Sequence, residues 1–159
     1  MKLRVSLPRQ TLEVLDDAGQ VNHVYPVSTA ANGAGEERNS FCTPRGRHIV
    51  RARIGAGLPL GSVFVARRPT GEIHTPELGQ AQPERDWILT RILWLSGKEP
   101  GYNRLGSCDS MRRYIYIHGT PDETFEQTPR SHGCIRMRNA DLTALFDLVP
   151  VYTTVEITA

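Results

Sequence analysis

The stretch Ser131-His132-Gly133-Cys134-Ile135-Arg136 is where residue types and spacing in this sequence suit covalent chemistry. A thiol attacks as its thiolate, so nearby positive or hydrogen-bonding groups are expected to lower its pKa from about 8.5. Cys134 has His132 and Gly133 immediately upstream and Arg136 just downstream. Glycine at 133 removes a side chain where a substrate carbonyl has to approach, and it leaves backbone N–H groups able to face a developing oxyanion. A second imidazole, His118 in His118-Gly119-Thr120, closes an alternating run from Arg113. A strand end that aims an imidazole at a loop-borne thiol is the arrangement nucleophilic catalysis requires.

The elements that must position these groups read mainly as strands. Leu3, Val5 and Leu7 alternate with Lys2, Arg4 and Ser6, the pattern of a half-buried strand. Leu12 and Val14 continue it after a turn, and Asp16-Asp17-Ala18-Gly19 marks a second turn before a returning strand at 21–27. Residues 28–40, rich in Ser, Asn, Gly and Glu, read as an exposed loop. Thr43-Pro44-Arg45-Gly46 is a tight turn into a strand at 48–52, and Val63-Phe64-Val65 suggests another. A polar connection to Asp86 precedes an apolar strand at 87–95, then a loop and the strand at 113–118. One helix is expected, with Asn139 as N-cap, Asp141 in the first turn, and Leu142, Leu145, Phe146 and Val149 on one buried face. Pro150 stops it before a last strand at 151–157. The expectation is one mainly β domain over 1–159.

Composition narrows the function classes. The 159 residues carry a net charge of +2, without the concentrated basic face of a nucleic-acid binder. No run approaches the roughly 18 apolar residues of a membrane span. The strand pattern starting at Lys2 leaves no room for a secretory signal, so the direct expectation is a cytoplasmic protein, although a trimmed periplasmic chain reads identically. The three cysteines, Cys42, Cys108 and Cys134, form no CxxC pair. In an oxidising compartment Cys42 and Cys108 are the pair left to join.

His118-Gly119-Thr120, a proline-containing loop and then Ser131-His132-Gly133-Cys134-Ile135-Arg136-Met137 closely resemble the signature of the L,D-transpeptidase catalytic domain (YkuD-like) family. Asn139-x-Asp141 with its leucine-bearing helix, and the earlier Thr43-Pro44-x-Gly46 turn, fit the same pattern. The resemblance implies a β-sandwich with one short helix after the cysteine loop. It also implies attack on a peptidoglycan stem tetrapeptide, at the bond between its third residue, a diamino acid, and D-alanine. By that resemblance Cys134 is the nucleophile, His118 the general base and Gly119 the carbonyl that orients the imidazole. Backbone N–H groups of His132, Gly133 and Cys134 line the oxyanion hole. Ser131 and His132 shape the site, and Arg136 holds the loop or a substrate carboxylate. No cofactor or metal is implied. Water as acceptor makes an L,D-carboxypeptidase of recycled muropeptides, the expectation for a cytoplasmic member; an amine acceptor makes 3→3 cross-links.

Two other classes stand beside this reading. A silent domain that binds wall peptides needs neither His118 nor Cys134 to react. A zinc module would use His118, His132 and Cys134, but lacks an evident fourth ligand. Cys42 and Cys108 read as inert thiols, His23, His48 and His74 as ordinary surface or core residues, and Arg112, Arg113, Arg130 and Arg138 as a solvated face.

Overall fold

In a computed structural model that describes residues 1–159, all ten strands join one hydrogen-bonded sheet. The strands are β1 (Lys2–Ser6), β2 (Thr11–Leu15), β3 (Val21–Pro26), β4 (Gly46–Ile54), β5 (Ser62–Val65), β6 (Arg68–Ile73), β7 (Ile88–Gly97), β8 (Tyr116–Gly119), β9 (Ile135–Met137) and β10 (Thr154–Thr158). Two α-helices, α1 (Pro76–Ala81) and α2 (Asn139–Leu148), complete the fold. The main path runs β3-β2-β1-β10-β4-β7-β5-β6, while β8 and β9 branch from β7.

The alternation at the start of the chain does what its period requires. Leu3, Val5, Leu12 and Val14 turn one face inward and are almost fully buried, while Lys2, Arg4, Thr11 and Glu13 between them are not. β1 pairs in parallel with β10, so both ends of the chain lie in the centre of the sheet. Pro26 and Pro69 sit in β3 and β6, the two end strands of the main path, where a missing N–H costs no ladder bond. α2 delivers Leu142, Leu145 and Phe146 into a cluster of 18 buried residues, joined by Val149 just past its end, by Leu3 and Val5 of β1, and by Ile117 and Ile135 beside the site.

β7 is the hub. Ile88 and Leu89 pair with β5, whereas residues 92–97 pair with β4. Between the two, the register against β8 jumps from Leu89↔Gly119 to Ile92↔His118. Thr90 and Arg91 are the surplus residues of this bulge, and Thr90 holds a φ of 77° while fully buried. A β-branched residue in that conformation is an outlier, and bulges of this kind re-aim neighbouring side chains.

Four local expectations change. Asn139 is not the cap of α2: Arg138 occupies that position without a side-chain bond, and the carboxylate of Asp122 accepts the Asn139 N–H at 3.1 Å instead. The strand carrying His118 starts only at Tyr116, because Tyr114 has a φ of 57° and closes a turn. The connection before Asp86 contains β6 and α1, the latter capped by Thr75, whose hydroxyl accepts the Leu78 N–H at 3.1 Å. Residues 28–40 are not wholly exposed either: Ser28, Thr29 and Ala30 are buried because they line the cysteine loop.

Candidate active site

β8 and β9 run in parallel, with Ile117↔Ile135 and His118↔Arg136 as neighbours. This pairing draws the His118 strand end and the Cys134 loop onto one cavity of about 450 Å³, whose wall includes Arg67, Asp86, Arg113, Ser131, His132 and Arg136. His118 is buried, and its Nδ1 bonds the Gly119 carbonyl at 2.7 Å. A carbonyl only accepts, so Nδ1 carries the hydrogen and Nε2 keeps its lone pair. Burial pushes this imidazole down to about 4, against a smaller opposing pull from the Gly119 carbonyl.

Gly119 is a close-approach glycine. A Cβ there would collide with the Asn139 side-chain oxygen and sit 2.6 Å from the Leu89 carbonyl. Asn139 is buried and divides its amide between two neighbours: Oδ1 accepts from the Thr90 hydroxyl at 2.6 Å, and Nδ2 donates to the Thr120 carbonyl at 2.9 Å.

The thiol of Cys134 is only partly covered, yet burial of its surroundings pushes it up to about 12; the Tyr116 N–H, donating to Sγ at 3.4 Å, opposes the shift. The Sγ hydrogen has the Tyr114 carbonyl as acceptor at 3.3 Å. Desolvation outweighs the pull of Arg136 and Arg113, so the surroundings favour the neutral thiol, against the direction its charged sequence neighbours suggest. Burial favours the neutral form of both the thiol and the imidazole.

The cysteine loop is laced down on both sides. Its Ser131 N–H and carbonyl bond Thr29 and Ala31 at 2.9 Å, and Arg136 exchanges two backbone bonds with Ser28. Ser131 Oγ donates to the Cys134 carbonyl at 2.5 Å and accepts the Gly133 N–H at 3.2 Å. Thr43, from the Thr-Pro-x-Gly turn, donates its hydroxyl to the Gly133 carbonyl at 3.0 Å. Gly133 itself has a φ of 129°, and a Cβ would lie 3.1 Å from the Cys42 carbonyl. The N–H groups of His132 and Cys134 have no acceptor in the protein. His132 is exposed, its ring in a T-shaped arrangement with Phe41 at 5.8 Å between centroids.

Arg136 lies 3.5 Å from Asp86, and its buried Nε has no partner. These two residues and His132 also line a second, more polar cavity of about 610 Å³ with His74, Arg85 and Glu123. Arg113 is not part of a solvated face. It is half-buried and donates to the carbonyls of Gly35, Glu36 and Cys42, at 3.2, 3.2 and 2.7 Å. Sequence reasoning missed Thr90, Asn139, Asp86, Arg67 and Arg113; only Asn139 carried a local signal, and it pointed to a cap. No cluster of three or more His, Cys, Asp or Glu side chains is placed to hold a metal ion.

A mainly β sheet presenting an imidazole of fixed tautomer and a half-buried thiol on one cavity defines a cysteine-type catalytic domain. The chain belongs to the YkuD, L,D-transpeptidase catalytic domain, family, whose model matches residues 2–157. Comparison with curated proteins gives no match. Among solved structures it is similar to an L,D-transpeptidase from Xylanimonas cellulosilytica, with 19% identity and a TM-score of 0.57 over 98% of this chain and 59% of that one. An L,D-transpeptidase from Mycobacterium smegmatis is 20% identical, with a TM-score of 0.55 over 99% of this chain and 58% of that one. L,D-transpeptidase 3 from Mycobacterium tuberculosis, solved with a faropenem-derived adduct, is 16% identical, with a TM-score of 0.58 over 99% and 59%. The chain thus spans about three-fifths of the length of these structures.

Proposed function

We propose that this domain cleaves the bond between the diamino acid and D-alanine of peptidoglycan stem tetrapeptides through a Cys134 thioester. The observation that carries the reading is His118 held by the Gly119 carbonyl, with the lone pair of Nε2 left uncommitted on the cavity that holds the thiol. With both groups neutral, attack is general-base catalysed: Nε2 takes the Sγ proton as sulfur bonds the scissile carbonyl carbon. The N–H groups of His132 and Cys134 receive the oxyanion; that of Gly133 is already held by Ser131. Collapse breaks the C–N bond, and the imidazolium returns its proton to the departing amine of D-alanine. Ser131 and Thr43 hold the loop. Arg136 fixes the wall between the two cavities through Asp86, which favours the loop-holding role over carboxylate binding.

The acceptor in the proposal is water, making the domain an L,D-carboxypeptidase. The exposed His132 side leaves the thioester open to solvent, so water needs no site of its own. Attack by water, with His118 again as base, frees the tripeptide and the thiol. All three cysteines are free thiols, which suits a reducing compartment and a cytoplasmic role in trimming recycled fragments. Mass spectrometry of products from a defined disaccharide-tetrapeptide, with Cys134→Ala as control, tests this. Tripeptide and free D-alanine are expected. Cross-linked dimers without tripeptide would make the acceptor an amine, and unchanged substrate that stays bound would make the domain a binder.

A further inference from the structure

Three arginines stand on the wall of the catalytic cavity against one carboxylate, Asp86. Their guanidinium groups are not equally free. Arg113 spends its donors on Gly35, Glu36 and Cys42 carbonyls and on Ser40 Oγ. Arg136 is paired with Asp86 at 3.5 Å. Arg67 is different. It sits at the tip of the β5–β6 hairpin, where Ala66 and Arg67 both adopt a positive φ, 49° and 64°. That backbone turns the residue back over the sheet. Its Nη1 donates to the Tyr116 hydroxyl at 2.9 Å, and its Cζ lies 4.6 Å from the Trp94 ring centroid and 4.9 Å from that of Tyr114.

No carboxylate of the protein pairs with Arg67, and its Nε and Nη2 have no protein acceptor. The guanidinium is therefore held by two rings and a phenol and is unneutralised by any carboxylate of the protein. Arginine's planar fork matches a carboxylate in two parallel bonds, and ordering it beforehand lowers the entropy lost on binding. A tyrosine hydroxyl is a neutral partner that leaves the charge uncompensated. Three guanidinium groups against one carboxylate give the cavity wall a positive balance that favours an anionic ligand.

We propose that Arg67 is the carboxylate receptor of this cavity and selects the acyl-donor peptide. The inference rests on the proposed stem-peptide substrate and adds to it the group recognised. Such a peptide offers the C-terminal carboxylate of the departing D-alanine and, where the diamino acid is a dicarboxylic one such as diaminopimelate, a second carboxylate on its side chain. Both have the same chemistry.

Binding to catalytically silent Cys134→Ala protein reads the contact whether or not turnover occurs. Calorimetry with a synthetic tetrapeptide should show Arg67→Met in that background weakening affinity by about 10–100-fold, the range of a charge-assisted hydrogen-bonded contact. Arg67→Lys, which keeps the charge but not the fork, should recover part of it. Amidating the recognised carboxylate should weaken binding to Cys134→Ala protein by a similar factor and leave the Arg67→Met form indifferent. Amidating the other carboxylate should not, so the two peptides identify which group is held. In the active enzyme Arg67→Met should raise KM with little change in kcat. Equal losses for free and amidated peptides, a fall in kcat alone, or no tetrapeptide binding to either protein would overturn the proposal and leave Arg67 a clamp on Trp94 and Tyr114. Tetrapeptide that binds in the Arg67-dependent way but is not cleaved by the wild-type chain would instead sink the catalytic reading and keep this one.

Discussion

The hydroxyl of Thr90 lies 2.6 Å from the side-chain oxygen of Asn139, joining the bulge of β7 to the first residue of α2 beneath the backbone of Gly119. The Gly119 carbonyl in turn accepts the Nδ1 hydrogen of His118. The orientation of the imidazole therefore depends on two residues that touch neither the thiol nor the cavity wall.

Asn139→Ala removes the acceptor of the Thr90 hydroxyl proton, leaving that hydroxyl only the Gly61 N–H, and strips the buried Thr120 carbonyl of its donor, at a cost of about 1–3 kcal/mol. Because Gly119 also loses the surface it packs on, kcat should fall by up to about 10²-fold with KM little changed. Thermal denaturation and steady-state kinetics check the two parts. A stability loss without a kcat loss would separate Asn139 from His118.

Replacing His118 by Ala removes the proton acceptor for a thiol that is not ionised. A loss of about 10²–10⁴ in the acylation rate is expected, read by single-turnover mass spectrometry of the thioacyl adduct. Cys134→Ala should form no adduct at all.

The ionisation of Cys134 has its own signature. With burial holding the thiol up to about 12, a small alkylating agent should label it more slowly at neutral pH than a free thiol. Its labelling rate should climb through the alkaline range. A labelling plateau reached in mildly acidic solution would instead mark a thiolate–imidazolium pair.

Two buried histidines make folding sensitive to acid. His48 lies fully buried between the Gly46 carbonyl and Ser110, and burial lowers it to about 4, as it does His118. Above their unfolded pKa near 6.5 both are neutral in either state, and this part of the stability is fully present. Between there and about 4 only the unfolded chain takes up protons, so stability falls as pH falls. Unfolding free energies from urea titrations should drop across that window, by up to about 3 kcal/mol for each histidine. His48→Gln should flatten part of the slope, and an unchanged slope would show that His48 is not its source.

At Gly133 any side chain meets both a φ of 129° and the Cys42 carbonyl at 3.1 Å. Gly133→Ala should cost about 1–3 kcal/mol from strain and displace the neighbouring N–H groups. Activity should fall by more than melting temperature alone explains, since losing one oxyanion donor costs about 10²–10³ in rate. Retained activity would place the oxyanion elsewhere.

That Cys134 and His118 belong to one site, and most of the strands around them, were legible because their signals are local. Cys134 and His118 lie in short runs of distinctive composition, and Leu3, Val5, Leu12 and Val14 declare a buried face by period alone. What stayed hidden depends on long-range placement. Thr90 and Asn139 are 49 positions apart, and only the packing of α2 on β7 makes them partners. Arg113 reads as one arginine among several until its reach to Gly35 and Cys42 is seen. For Cys134 the adjacent cationic residues are visible in a sequence, whereas the desolvation that pushes its thiol the other way comes from the folded surroundings.

The parallel pairing of β8 with β9 leaves residues 120–134 as one crossover that contributes no strand to the sheet. Its two ends are anchored independently, one through Gly119 against Asn139 and the other through Ser131 against Thr29 and Ala31. The stretch between, from Asp122 to Arg130, is largely exposed and borders the second cavity. Cys134 and His118 are thereby uncoupled from the segment that joins them. Insertions or exchanges in that segment offer a route by which the scaffold could acquire new substrates, in nature or by grafting, while the reacting atoms keep their places.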